Sequence, residues 1–132
     1  MSQAKELIKV FEKNRFLNIK GILHDFGQPK IMGILNITPD SFYEPSRVST
    51  EDSLLRRAED MISAGADILD IGASSTRPDA TINSPAEEIK RLGTAISELK
   101  KNFPNTLISL DTYYGSVAQF GIDQGADLIN DI

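Results

Sequence analysis

From residue 31 onward the chain alternates between two patterns. Short apolar runs, each closed by a polar residue, are followed by stretches with an apolar side chain at every third or fourth position. Ile31 to Ile37 is the first run, interrupted by Gly33 and ending around Asn36. Glu51 to Ala64 places Leu54, Leu55, Ala58, Met61 and Ile62 on one helical face, with Thr50 as candidate N-cap and Gly65 as the stop. Ile68-Leu69-Asp70-Ile71 is a short buried strand. Ser84, Pro85 and Glu87 form a capping-box signature, with proline where its missing N–H costs nothing. The helix it opens carries Ile89, Leu92, Ile96 and Leu99. Leu107 to Asp111 is a third strand. A helix over about Tyr114 to Gln124, with Val117, Ala118 and Ile122 inward, leads to Leu128-Ile129-Asn130.

Ahead of this rhythm, Phe16 to Leu23 and Lys30 to Leu35 are strand-like around a turn at Asp25-Phe26-Gly27-Gln28-Pro29. They predict an N-terminal hairpin leading into a buried strand. Residues 1–15 form an extension, with a candidate short helix over 4–13.

Strands alternating with helices predict an α/β fold with a parallel sheet. Four strands and three helices make half of a (β/α)8 TIM barrel, so residues 16–132 are expected to be the N-terminal half of such a domain. Complete barrels take roughly 250 residues. The pattern stops right after the fourth strand, which predicts a truncated barrel; the alternative is an open four-stranded sheet that self-associates. An internal echo supports repeated βα units. Gly65-Ala66-Asp67-Ile68-Leu69-Asp70 recurs sixty residues on as Gly125-Ala126-Asp127-Leu128-Ile129-Asn130.

Composition narrows the function. With 40% apolar and 25% charged residues the chain is globular rather than disordered. A net charge of −5 disfavours nucleic-acid binding but allows a phosphate-bearing small molecule. The absence of cysteine excludes disulfides and thiolate chemistry, and a single histidine, His24, excludes a multi-histidine zinc site within these residues. No apolar run reaches membrane-span length and no signal-peptide core follows Met1, so a cytoplasmic location is expected.

Parallel α/β enzymes place their chemistry at the carboxyl ends of strands. There the chain carries Asn36, Asp70, Asp111 and Asn130, polar groups that packing does not require. Buried together they need either a mutual hydrogen-bond network or a ligand. Helix capping and loop support are the alternatives for the two aspartates. Arg77, beside Ser74, Ser75 and Thr76, is the best anion-binding candidate, because its guanidinium offers a fixed fork of donors. The pocket therefore suits something with a hydrogen-bonding edge and something anionic. A phosphosugar isomerase, an aldolase and a pterin enzyme all remain open on these residues.

Three strings carry a closer resemblance. Met32-Gly33-Ile34-Leu35-Asn36-Ile37-Thr38-Pro39-Asp40-Ser41-Phe42 is similar to the first signature of the dihydropteroate synthases. Asp70-Ile71-Gly72-Ala73-Ser74-Ser75-Thr76-Arg77-Pro78 is similar to the second. Ser109-Leu110-Asp111-Thr112 and Gly125 to Ile132 resemble the third and fourth strands. The resemblance implies condensation of 6-hydroxymethyl-7,8-dihydropterin diphosphate with 4-aminobenzoate, with Mg2+ as cofactor, sulfonamides as inhibitors and a homodimer when full length.

Carried to this numbering, it assigns pterin binding to Asp70, Asp111 and Asn130, and diphosphate binding to Asn36, Thr76 and Arg77. The aminobenzoate pocket would draw on Thr38, Pro39, Ser41, Phe42, Ser75, Thr76, Arg77 and Pro78. Metal contact falls to Asn36, with Glu44 as a candidate replacement for a loop aspartate. Tyr43-Glu44-Pro45-Ser46 departs from the Ser-Asp-Gly-Gly common in the family, and Ala73-Ser74 from Gly-Glu. The family's later aspartate, lysine, arginine and histidine have no counterpart in these residues, so residues 1–132 alone are expected to be inactive. The rival readings are a methyltransferase-type pterin-binding barrel and a non-catalytic half-barrel assembly module.

Overall fold

In a computed structural model, residues 15–37, 47–73 and 83–131 are described, with side chains from 52 onward in the second stretch. The chain divides into two units, 1–30 and 31–132.

The first unit is an antiparallel hairpin, β1 (Phe16–Ile19) and β2 (Ile22–Asp25), paired Ile19 to Ile22 at its closed end. Its turn is Lys20-Gly21, not the Asp25 to Pro29 segment expected from the sequence. Both turn residues have positive φ, 51° and 85°, which matches the twist of a two-residue hairpin loop. Asn18 Oδ1 accepts a 2.9 Å bond from the Gly21 N–H and holds the turn closed. Arg15 pairs with Asp25 at the open end.

The second unit is a parallel sheet of β3 (Met32–Asn36), β4 (Ile68–Gly72), β5 (Leu107–Asp111) and β6 (Leu128–Asn130), in that spatial order. The helices between them are α1 (Arg47–Ser63), α2 (Pro85–Leu92), α3 (Ala95–Asn102) and α4 (Gly115–Asp123). This is the partial barrel expected, with the second of its three helical crossovers split in two. The split falls at Gly93-Thr94, inside the stripe Ile89, Leu92, Ile96, Leu99. Gly93 leaves helical geometry at φ 48°, ψ −118°, yet Leu92, Ile96 and Leu99 all stay buried. A glycine costs a helix interior about 1 kcal/mol, which makes it the natural place to bend.

Strand alternation gives the sheet two different faces. Leu35, Leu69, Ile71, Ile108 and Leu110 point to the helices and are fully buried. Each contributes about 1.5–3 kcal/mol by leaving water. Against them pack Leu54, Ala58, Leu92, Ile96, Leu99 and Val117, with α1 beside α3 and α2 beside α4. Met32 and Ile34 point to the other face and are exposed in this chain.

Helix α1 begins one turn before the expected Thr50 cap, at Arg47. Helix α2 begins where expected, with Ser84 Oγ accepting from the Glu87 N–H at 3.2 Å. The Glu87 carboxylate turns to Arg91 instead of completing the box. In α4 the inward residues are Val117 and Gly121, while Ile122, expected inward, is 50% exposed. Gly121 lies so close to Leu110 that a Cβ there would sit 2.3 Å from Leu110 Cδ2. That close approach sets the rotation of the helix and turns Ile122 out.

The sixty-residue echo has a physical basis. Gly65 and Gly125 end their helices with φ 108° and 107°. The aspartate two residues on then clips the strand beside it. The Asp67 N–H donates to Ile31 O at 2.8 Å and Asp67 Oδ2 accepts from the Ile31 N–H at 2.8 Å. Asp127 repeats both bonds with Ile108, at 2.8 and 2.9 Å, and is ion-paired to Lys100 at 2.9 Å. The repeat is thus a joint that locks each helix-to-strand turn to the neighbouring strand.

Candidate functional site

The parallel register aligns Asn36, Gly72, Asp111 and Asn130 in one row across the carboxyl ends of the four strands. All four residues belong to the face opposite the helices, because they lie an odd number of positions from Leu35, Ile71, Leu110 and Ile129. One step lower, on the same face, the row is Ile34, Asp70, Ser109 and Leu128. The four polar residues singled out from the sequence are therefore neighbours on one surface.

Asp70 is the deepest of them, 3% exposed. Its Oδ2 accepts a 3.1 Å bond from Asn130 Nδ2. Its Oδ1 is buried with no hydrogen-bond partner among the described residues. An unsatisfied buried oxygen costs about 1–3 kcal/mol, more when charged, so it favours a ligand bearing an N–H donor. Burial pushes the Asp111 carboxyl above its usual range, and the negative charges of Asp70 and Glu88 push the same way. A carboxylate in that position gains from a donor-rich partner.

Gly72 separates Asn36 from Asp111 and leaves space between them. A Cβ at Gly72 would lie 3.5 Å from Asn36 Oδ1 and 3.7 Å from Asp111 Oδ2. Two oxygens thus face one gap, and oxygen donors of this kind are the type a hard cation takes. Among the described residues no group of three or more histidine, aspartate or glutamate side chains is placed to hold a metal alone.

Behind the row lies a set of buried and part-buried polar contacts that the sequence did not disclose. Glu88 on α2 is 2% exposed, and its Oε2 accepts from Thr112 Oγ1 at 3.1 Å. Thr112 Oγ1 in turn accepts from the Tyr114 N–H at 3.2 Å. Tyr114 donates its hydroxyl to Asn83 O at 2.9 Å, and Tyr113 stacks against it with ring centroids 4.3 Å apart. Its contact with the Tyr113 hydroxyl, with burial adding, pushes the Tyr114 phenol up. Ala73 O accepts from both Asn83 Nδ2, at 3.3 Å, and Arg91, at 3.2 Å. Glu88 was hidden because Glu87-Glu88 looks like a solvated first turn; the usable signal was its position four before the buried Leu92, on the same helical face. Thr38, Pro39, Ser41, Phe42, Glu44, Ser75, Thr76, Arg77 and Pro78 lie outside the described residues.

Comparison with known proteins fits this geometry. Residues 32–132 match the family described as pterin binding enzyme. The folic acid synthesis protein fol1 of Schizosaccharomyces pombe is 41% identical over 131 residues, covering 99% of this chain and 16% of that protein. A dihydropteroate synthase of Xanthomonas albilineans, solved with 4-aminobenzoic acid, superimposes with a TM-score of 0.78 at 34% identity, over 90% of this chain and 44% of that one. One from Burkholderia cenocepacia, complexed with 7,8-dihydropteroate, gives a TM-score of 0.71 at 41% identity, over 89% of this chain and 38% of that one. The chain spans less than half the length of each of these relatives. With its family-matched strands and its polar row at their carboxyl ends, the chain belongs to the pterin-binding enzyme family, and the two solved relatives named above are dihydropteroate synthases.

Proposed function

We propose that a complete barrel carrying this chain condenses 6-hydroxymethyl-7,8-dihydropterin diphosphate with 4-aminobenzoate to give 7,8-dihydropteroate and diphosphate. The observation that carries the reading is the polar row Asn36, Asp111, Asn130 above Asp70 Oδ1, which has no partner among the described residues. A pterin ring presents N–H donors along one edge. Asp111 and Asp70 would accept from that edge, while the Asn130 carboxamide offers both a donor and an acceptor. These groups would orient the ring with its exocyclic methylene directed away from the floor. The aromatic amine then attacks that carbon; the new C–N bond replaces the C–O bond to diphosphate, and the amine loses a proton. A neutral aniline nitrogen is nucleophilic without a strong base, so positioning is the main task of the protein.

Asn36, across the Gly72 gap, would take the diphosphate side, and Thr76 and Arg77 are assigned there by resemblance. Mg2+ would contact the Asn36 amide oxygen, with Glu44 as a further candidate, and would supply charge neutralisation of the leaving group. The chain provides one arc of the pocket, so turnover is assigned to the complete barrel. By the same likeness we propose a homodimer, and sulfonamides as competitors of 4-aminobenzoate.

Incubating the full-length protein with both substrates and Mg2+ tests the reading. Equal amounts of dihydropteroate and diphosphate are expected, with Asp111→Ala losing more than about tenfold in rate. No product from the full-length protein would contradict it. Methyl transfer from a methylated pterin would favour the methyltransferase-type barrel instead.

A further inference from the structure

We propose that Thr112 is a positioning residue for the pterin row, its hydroxyl bridging β5 to α2 so that Asp111 and Asn130 are held side by side. The inference rests on the pterin-binding reading above and adds a residue to it.

Strand alternation turns Asp111 toward the open face and Thr112 toward the helices. Thr112 is 5% exposed and is fixed from two directions. Its backbone N–H donates to Asn130 O at 3.2 Å, one bond beyond the Asp111–Asn130 register pair. Its hydroxyl donates to Glu88 Oε2 and accepts from the Tyr114 N–H. The backbone bond ties the end of β5 to β6, and the side-chain bonds tie the same point to α2 and to the start of α4.

A hydroxyl that both donates and accepts inside a buried site fixes its carbon framework more narrowly than packing alone. The chain immediately before it carries the Asp111 carboxylate, and the chain it bonds across the sheet carries the Asn130 carboxamide. Loss of the hydroxyl would remove one donor from the Glu88 carboxylate and the side-chain acceptor of the Tyr114 N–H. The strand end could then relax by a few tenths of an ångström, which matters for a two-group match to a flat ring edge.

The test is calorimetric titration of the full-length protein with 6-hydroxymethyl-7,8-dihydropterin, a probe that lacks the diphosphate and isolates the ring. Thermal midpoints are measured in parallel, and titrations are run well below them. Thr112→Val keeps the shape and removes the hydroxyl, and it should weaken binding about tenfold. Thr112→Ser keeps the hydroxyl and removes the methyl, and it should stay within about twofold of the parent.

If Thr112→Val does not fold, Thr112→Ser against Thr112→Ala makes the same comparison, with only Ala losing affinity. A stability loss with unchanged affinity in the hydroxyl-free variant would overturn the positioning role. So would equal loss of affinity in the serine variant. Asp111→Ala in the same assay separates the two levels. If it binds like the parent, the pterin reading itself is wrong; if it alone loses binding, only the role of Thr112 is.

Discussion

Asn130 Nδ2 donates to Asp70 Oδ2 at 3.1 Å, joining residues sixty positions apart in the sequence. They occupy equivalent places in the two copies of the helix-to-strand repeat. The shared Gly-Ala-Asp joint sets each strand to the same depth through Asp67 and Asp127. Since β5 lies between β4 and β6, the bond spans an intervening strand, and small Ser109 in the lower row leaves room for it. A structural joint at the base of the sheet thus aligns the chemistry at its rim.

The pH dependence of stability should carry the signature of Asp111. Burial first, and then Asp70 and Glu88, raise its folded-state pKa above 3.8. A carboxyl raised on folding favours the fold at low pH, and this contribution is lost as pH rises through its folded value. Above that folded value the ionised group therefore opposes the ligand-free fold. Asp111→Asn should unfold at higher urea than the parent at pH 7, the gain shrinking as pH falls toward the ordinary carboxylate value of 3.8.

The two aspartates of the repeat should differ in what they contribute. Asp127 is nearly buried and holds Lys100 as well as the Ile108 N–H, so Asp127→Ala breaks a desolvated pair at a cost of about 3–5 kcal/mol. Asp67 is exposed, and Asp67→Ala lets water reach the Ile31 N–H, costing about 1 kcal/mol. Urea unfolding of the two variants in the full-length protein would show the order.

Gly121→Ala should be destabilising despite alanine's better helix propensity. The added Cβ would meet Leu110 at 2.3 Å in a fully buried position, an overpacking that costs about 1–3 kcal/mol. Gly33→Ala meets the flexible end of Met61 at 2.9 Å and should cost less. The difference in thermal midpoint between the two variants checks this.

The polar row at the strand ends was legible in the sequence because strand ends announce themselves. Asp70, Asp111 and Asn130 interrupt apolar runs where packing wants none, and parallel register does the rest. The strand and helix order followed from the same periodicity. What escaped detection depended on local geometry or on contacts distant in sequence. Lys20-Gly21 makes the hairpin turn although lysine is a poor signal for positive φ. Gly93 breaks a helix whose apolar stripe runs on without a gap. Ile122 fits an inward stripe and is turned out by the Gly121–Leu110 contact. The Glu88–Thr112 bond joins residues 24 positions apart, and no local pattern pairs the two.

The most direct measurement is calorimetric titration of 6-hydroxymethyl-7,8-dihydropterin diphosphate with Mg2+ into the full-length protein and into its Asp111→Ala and Asn130→Ala variants. Saturable one-site binding by the parent, weakened about tenfold or more in each variant, is the result predicted by a pterin-binding row. Equal affinity in all three proteins, or no binding by the parent, would contradict it.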